Sequence, residues 1–180
     1  MAGVRVALAA AIAVVAVAGC GGSSSVKPTA YVKSVCVALG DWRNTIQSAA
    51  AALQSSGASS ASRQVAKEDY QRFVGSLVTA TQRAAASLHT AGSPSVNGGA
   101  RIATRLTRAF DTAAAALKHA EAQAGRIPTD TAAHFQLGAS AVSSEIRSGL
   151  EQIARVTPGQ NQQLRAAAAK EPACQLLASG

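Results

Sequence analysis

Apolar residues recur at alternating spacings of three and four along four segments of this chain, each about 25 residues long. This spacing places an apolar stripe, here called a seam, along one face of a helix. No segment alternates apolar and polar residues for long enough to form a strand. The seam of the first segment consists of Val32, Val35, Leu39, Trp42, Ile46, Ala49 and Leu53.

Turn residues separate the four segments, which run from about 30 to 54, 62 to 90, 98 to 124 and 131 to 156. The fourth is expected to begin at a cap formed by Thr129 or Asp130. Long helices joined by short loops pack antiparallel. The sequence therefore predicts an all-α fold over residues 29–180, an up-down-up-down four-helix bundle. A short C-terminal helical appendix follows, with a helix from about Gln160 to Ala169 and a final turn after Pro172.

The seams contain many small side chains, because alanine is abundant and aromatic residues make up only 3% of the chain. A core of this kind buries little apolar area per residue. We therefore expect stability to depend on helix propensity, close helix packing and a covalent crosslink.

The first twenty residues have the pattern of a bacterial lipoprotein signal. A single positive charge at Arg5 precedes an apolar stretch from Val6 to Ala18, which is shorter than the roughly 20 residues of a membrane span. Val17-Ala18-Gly19-Cys20 then resembles the lipobox. Residues 1–19 are predicted to be a signal peptide, and Cys20 is predicted to carry diacylglycerol. The alternative is ordinary cleavage after Ala18, which would release a protein without lipid.

Residues 20–28 are predicted to form a lipidated, flexible tether, because Gly21 to Lys27 is rich in glycine and serine. The helical domain would then stand on the extracytoplasmic face of the bacterial cell membrane, anchored by its lipid.

Cys36 and Cys174 remain once Cys20 is assigned to lipidation. An even number of cysteines in an exported chain predicts a disulfide. Both residues are expected near one end of the bundle, where the first helix begins and the fourth ends. Two buried free thiols are the alternative.

The titratable residues do not form a recognisable catalytic or metal-binding pattern. His89, His119 and His134 lie outside the Glu-x-x-His and His-Glu-x-x-His spacings that bundle metal sites use. No nucleophile motif or phosphate loop is present in the sequence. We expect no catalytic residues, no metal and no cofactor, and hence a protein that is not an enzyme.

One basic stripe stands out among the charged residues. Arg101, Arg105 and Arg108 follow one another at spacings of four and three, so they share a face of the third helix. The full chain has a net charge of +8, which becomes +7 without Arg5. The stripe is either a solvated helix face or a contact for an anionic surface. Nucleic acid is not expected as a partner, because the other basic residues are dispersed.

Three stretches of the mature chain resemble small exported lipoproteins of actinobacteria. They are Tyr31-Val32-x-x-Val35-Cys36-x-x-Leu39-x-x-Trp42, Gly92-Ser93-Pro94-x-Val96-x-Gly98 and Pro172-Ala173-Cys174-x-x-Leu177. The resemblance implies a secreted helical lipoprotein without an assigned activity, and it supplies no catalytic residues.

The sequence thus favours a membrane-anchored, non-enzymatic envelope protein that binds a protein partner, an anionic polymer or another anionic envelope component. A carrier of a small apolar ligand in the bundle interior is the alternative, because Gly138 and Gly149 on the fourth seam could leave space there.

Overall fold

The computed structural model describes residues 25–57, 62–156 and 161–179. Six helices account for most of this part of the chain. Their bounds are α1 Pro28–Gly57, α2 Arg63–Thr90, α3 Gly99–Ala124, α4 Ala132–Ala154, α5 Gln162–Ala168 and α6 Pro172–Ser179. The predicted all-α bundle with a C-terminal helical appendix is confirmed.

Each long helix packs against the next in the chain, α1 on α2, α2 on α3 and α3 on α4, whereas α5 and α6 pack on α1. One core cluster is shared by all four long helices: Val74, Leu77, Leu117, Val142 and Ile146 lie in it, and Ile46 of α1 packs against it. The appendix therefore covers the first helix rather than extending the bundle.

α3 is buried on a wider face than its predicted seam, because it packs against both α2 and α4. The apolar spacing of the sequence predicts an α3 seam of Ile102, Leu106, Ala109, Ala113, Ala116 and Ala120. Phe110 and Leu117 lie outside that seam, yet both are fully buried. The alanines Ala113, Ala120 and Ala124 are also fully buried, which allows the neighbouring helices to approach closely.

A short parallel pairing joins the start of the described chain to the α2–α3 connection. Strand β1, Ser25–Val26, pairs with β2, Ser93–Pro94, and Ser95 N donates to Val26 O at 2.8 Å. Val26 also packs against a core cluster. The expectation of a flexible tether over residues 20–28 needs correction, since residues 25–28 belong to the folded domain.

The cap of α4 also differs from the prediction. Thr131, rather than Thr129 or Asp130, accepts from His134 N at 3.1 Å. The loop before it is held by Arg63, whose guanidinium donates to Thr129 O at 2.8 Å and Asp130 O at 2.9 Å. The backbone carbonyls of Thr129 and Asp130 therefore help to fix the loop, by accepting hydrogen bonds from Arg63.

Candidate anion-binding site

An open groove of about 610 Å³ lies between the first half of α3 and the C-terminal end of α4. Arg101, Arg105 and Arg108 line it from α3, as their spacing predicts that they share a face. Arg155, which follows α4, lines it from the other side. Four guanidinium groups thus surround one groove.

All four arginines are exposed. Within the described residues, Arg101, Arg105 and Arg108 have no carboxylate or hydrogen-bond partner, whereas Arg155 donates to Glu151 at 3.3 Å. Unpaired guanidinium groups keep their planar set of N–H donors available for phosphate or carboxylate oxygens. The groove can therefore bind an anion without first breaking an internal ion pair on its α3 side.

Sequence reasoning missed Arg155, because its place depends on where α4 ends relative to α3. Antiparallel packing places the last turn of α4 beside the first turns of α3. The predicted antiparallel order implies that these two turns are neighbours. Identifying Arg155 would have required aligning the end of α4 with the start of α3 residue by residue.

Close backbone packing fixes the N-terminal end of α3, which carries the groove. Gly98 has a φ of 72°, and a Cβ added at Gly99 would lie 1.9 Å from Pro94 O. A side chain at position 99 would push α3 away from β2. The two glycines thus set the position of Arg101 relative to the β1–β2 pair.

The cysteine pair predicted from the sequence lies at the same end of the bundle. The sulfurs of Cys36 and Cys174 are 1.99 Å apart, at disulfide distance, and their Cα atoms are 5.0 Å apart. Arg43 adds a second link, donating from Nη1 to Leu177 O at 2.8 Å. α6 buries none of its residues, so these two links add to the contacts that its partly exposed side chains make with α1.

Each of the three histidines lies beside a carboxylate. His89 Nε2 is 3.0 Å from Asp111 Oδ2, and His119 Nδ1 is 3.3 Å from Glu145 Oε1. These two pairs join α2 to α3 and α3 to α4, on exposed parts of the surface.

The third pair, His134 with Asp130 at 2.8 Å, lies at the start of α4. The hydrogen bond from His134 lowers the pKa of the Asp130 carboxyl, and the backbone N–H of Thr131 adds to the effect. All three histidines thus have structural partners. In the described part of the chain, no three histidine, cysteine, aspartate or glutamate side chains come together as a metal-binding group.

The glycines that suggested an internal ligand space are in close contact with neighbouring residues. A Cβ added at Gly138 would lie 3.2 Å from Ile127 Cγ2, and one added at Gly149 would lie 3.1 Å from Ala116 Cβ. Both glycines therefore allow neighbouring residues to pack closely against α4. The carrier hypothesis depended on these two glycines, and their presence is explained by this close packing.

Cys20, the predicted lipidation site, and the predicted signal peptide over residues 1–19 lie outside the described residues. Of the helices that the structure describes, none combines the length and apolar character needed to cross a bilayer. No protein family, curated protein or solved structure matches this chain.

Proposed function

We propose that this protein is a lipid-anchored, non-enzymatic envelope protein that binds an anionic component of the envelope through the groove of Arg101, Arg105, Arg108 and Arg155. The observation that carries the proposal is the groove itself, where three of the four guanidinium groups are exposed and have no carboxylate partner among the residues that the structure describes. The membrane anchor is supported by the lipobox that ends at Cys20.

The anchor is tested by the mass and location of the exported protein. Intact-mass analysis should show a chain that starts at Cys20 and carries acyl groups, and Cys20→Ala should leave the membrane fraction or remain uncleaved. An unmodified chain starting at Gly19 would overturn the anchor and leave a released protein instead.

Anion binding is tested by sedimentation of residues 21–180 with vesicles that contain phosphatidylglycerol. Replacing Arg101, Arg105 and Arg108 by alanine should weaken binding about a hundredfold at low salt, because each basic residue near an anionic membrane contributes roughly 1 kcal/mol. Raising the salt concentration should weaken binding of the unaltered protein, because ions screen exposed charges.

A charge-matched control separates the groove from net charge. Lys118, Arg126 and Arg147 are exposed basic residues elsewhere on the bundle. Replacing all three by alanine removes the same three charges and should leave binding nearly unchanged. If both triple variants lose binding equally, the groove is not the site. If the unaltered protein binds neither these vesicles nor a soluble anionic polymer at low salt, the proposed function is wrong.

A further inference from the structure

The charges of this bundle are distributed unequally along its axis, and a layer of core residues provides a natural dividing line. Trp42 of α1 connects two neighbouring helices in this layer. Its indole N–H donates to Thr81 of α2, and its ring packs edge-on against Phe110 of α3. Ile153 of α4 packs against the cluster that contains Phe110. This layer crosses all four long helices.

The half that contains the β1–β2 pair consists of residues 25–41, 82–109, 154–156 and 161–179. We call it the strand end. It carries nine basic and two acidic residues, a net charge of +7. Asp111 and Glu151 lie just across the layer and pair with His89 and Arg155 of this half, and counting them here lowers the net charge to +5. The other half carries seven of each and is neutral. The basic residues of the strand end, all exposed, are Lys27, Lys33, Arg83, Arg101, Arg105, Arg108, Arg155, Arg165 and Lys170.

The strand end is also where the chain from the predicted lipid site enters the fold. Ser25 pairs with Ser93 in the short sheet and is five residues after Cys20. Five residues span at most about 17 Å when fully extended. A lipid on Cys20 would therefore keep this end close to the bilayer. Gln54 lies near the far end of α1, roughly 40 Å further away at 1.5 Å per helical residue.

From these observations we infer that the anionic component is the headgroup layer of the bilayer that holds the anchor, and that the strand end of the bundle docks on it. The inference rests on the proposed function and specifies its ligand as the phosphate groups of anionic phospholipids. The lipid tether and the basic residues would then both hold the strand end of the bundle against the bilayer. The short tether raises the local concentration of headgroups near the arginines, and the charge asymmetry orients the bundle.

The test uses the full lipidated protein reconstituted into vesicles, with one reporter fluorophore at a new thiol. Ser95→Cys reports on the strand end and Gln54→Cys on the opposite end, since both residues are exposed. Energy transfer to an acceptor lipid gives the distance of each position from the bilayer. With phosphatidylglycerol, Ser95 should show strong transfer and Gln54 weak transfer; with phosphatidylcholine alone, the difference between them should shrink.

Replacing Arg101, Arg105 and Arg108 by alanine should make the phosphatidylglycerol result resemble the phosphatidylcholine result. The Lys118, Arg126 and Arg147 triple variant should behave as the unaltered protein does. Circular dichroism of each variant confirms that the helices are intact.

Distances that do not depend on headgroup charge would overturn the inference, as would a Gln54 label as close to the bilayer as the Ser95 label. If the groove still bound soluble anionic polymer in that case, the proposed function would stand with a polymer as its ligand. Loss of all anion binding would remove the proposed function as well.

Discussion

The indole N–H of Trp42 on α1 donates to the hydroxyl of Thr81 on α2 at 3.0 Å, in the layer where Trp42 also packs edge-on against Phe110. Thr81 is fully buried. In a core built largely from alanine, this bond fixes the register of the only tryptophan against the second helix.

Thr81→Val keeps the shape of the side chain and removes the acceptor, which leaves a partly buried donor without a partner. We expect the free energy of unfolding to fall by about 1–3 kcal/mol. Thr79→Val on the exposed face of the same helix is the matched control and should change it by less than about 0.5 kcal/mol. Urea denaturation followed by tryptophan fluorescence measures both, and equal effects would mean that the bond has no specific role.

Gly99→Ala should destabilise the start of α3, because the added Cβ would lie 1.9 Å from Pro94 O. We expect a loss of about 1–3 kcal/mol, the usual cost of overpacking. Gly40→Ala is the opposite case, since no atom of the described chain lies within 4 Å of a Cβ added there. Gly40 lies inside α1, so alanine should stabilise the protein by about 0.5–1 kcal/mol. Thermal unfolding of the two variants should shift the midpoint in opposite directions, and shifts of the same sign would contradict the packing described at Gly99.

Removing the Cys36–Cys174 link should lower stability by about 2–4 kcal/mol, since it closes a loop between residues 138 positions apart. The effect should be strongest locally, because α6 has no buried residues of its own. In the Cys36→Ser/Cys174→Ser variant, hydrogen exchange should rise sharply in α6 while α2 and α3 stay protected. Unchanged protection of α6 would show that Arg43 and side-chain contacts suffice to hold it.

The pair formed by Asp130 and His134 predicts a pH effect of defined sign. Because the folded pKa of Asp130 is lowered from 3.8, the carboxylate favours the folded state above that value. This contribution is lost as the pH falls through the lowered pKa. His134→Ala should raise the Asp130 pKa toward its ordinary value, as measured by NMR titration of the carboxyl carbon. An unchanged titration curve would show that Thr131 alone perturbs this carboxyl.

Much of the fold follows from local patterns that the sequence displays. The three-four spacing of apolar residues located four helices to within a few residues, and the antiparallel order brought Cys36 and Cys174 to one end. The burial of Phe110 and Leu117 was missed, because a heptad seam describes one contact face and α3 has two.

The features that depend on contacts between distant segments could not be predicted from the sequence. The pairing of Ser25–Val26 with Ser93–Pro94 has no period-two pattern, since each strand has only two residues. Arg155 joins the groove because of where α4 ends. The concentration of net charge at the strand end likewise becomes visible only when residues from three separate stretches are placed together.

Binding of an anionic surface by the groove is tested most directly by mapping which residues contact that surface. Residues 21–180, labelled with ¹⁵N, can be titrated with nanodiscs that contain phosphatidylglycerol while amide signals are followed. The largest changes are expected at residues 98–108 and 152–156, and they should disappear at high salt because ions screen the exposed arginines. Changes centred on residues 118–147, or spread evenly over the surface, would contradict a binding role for the groove.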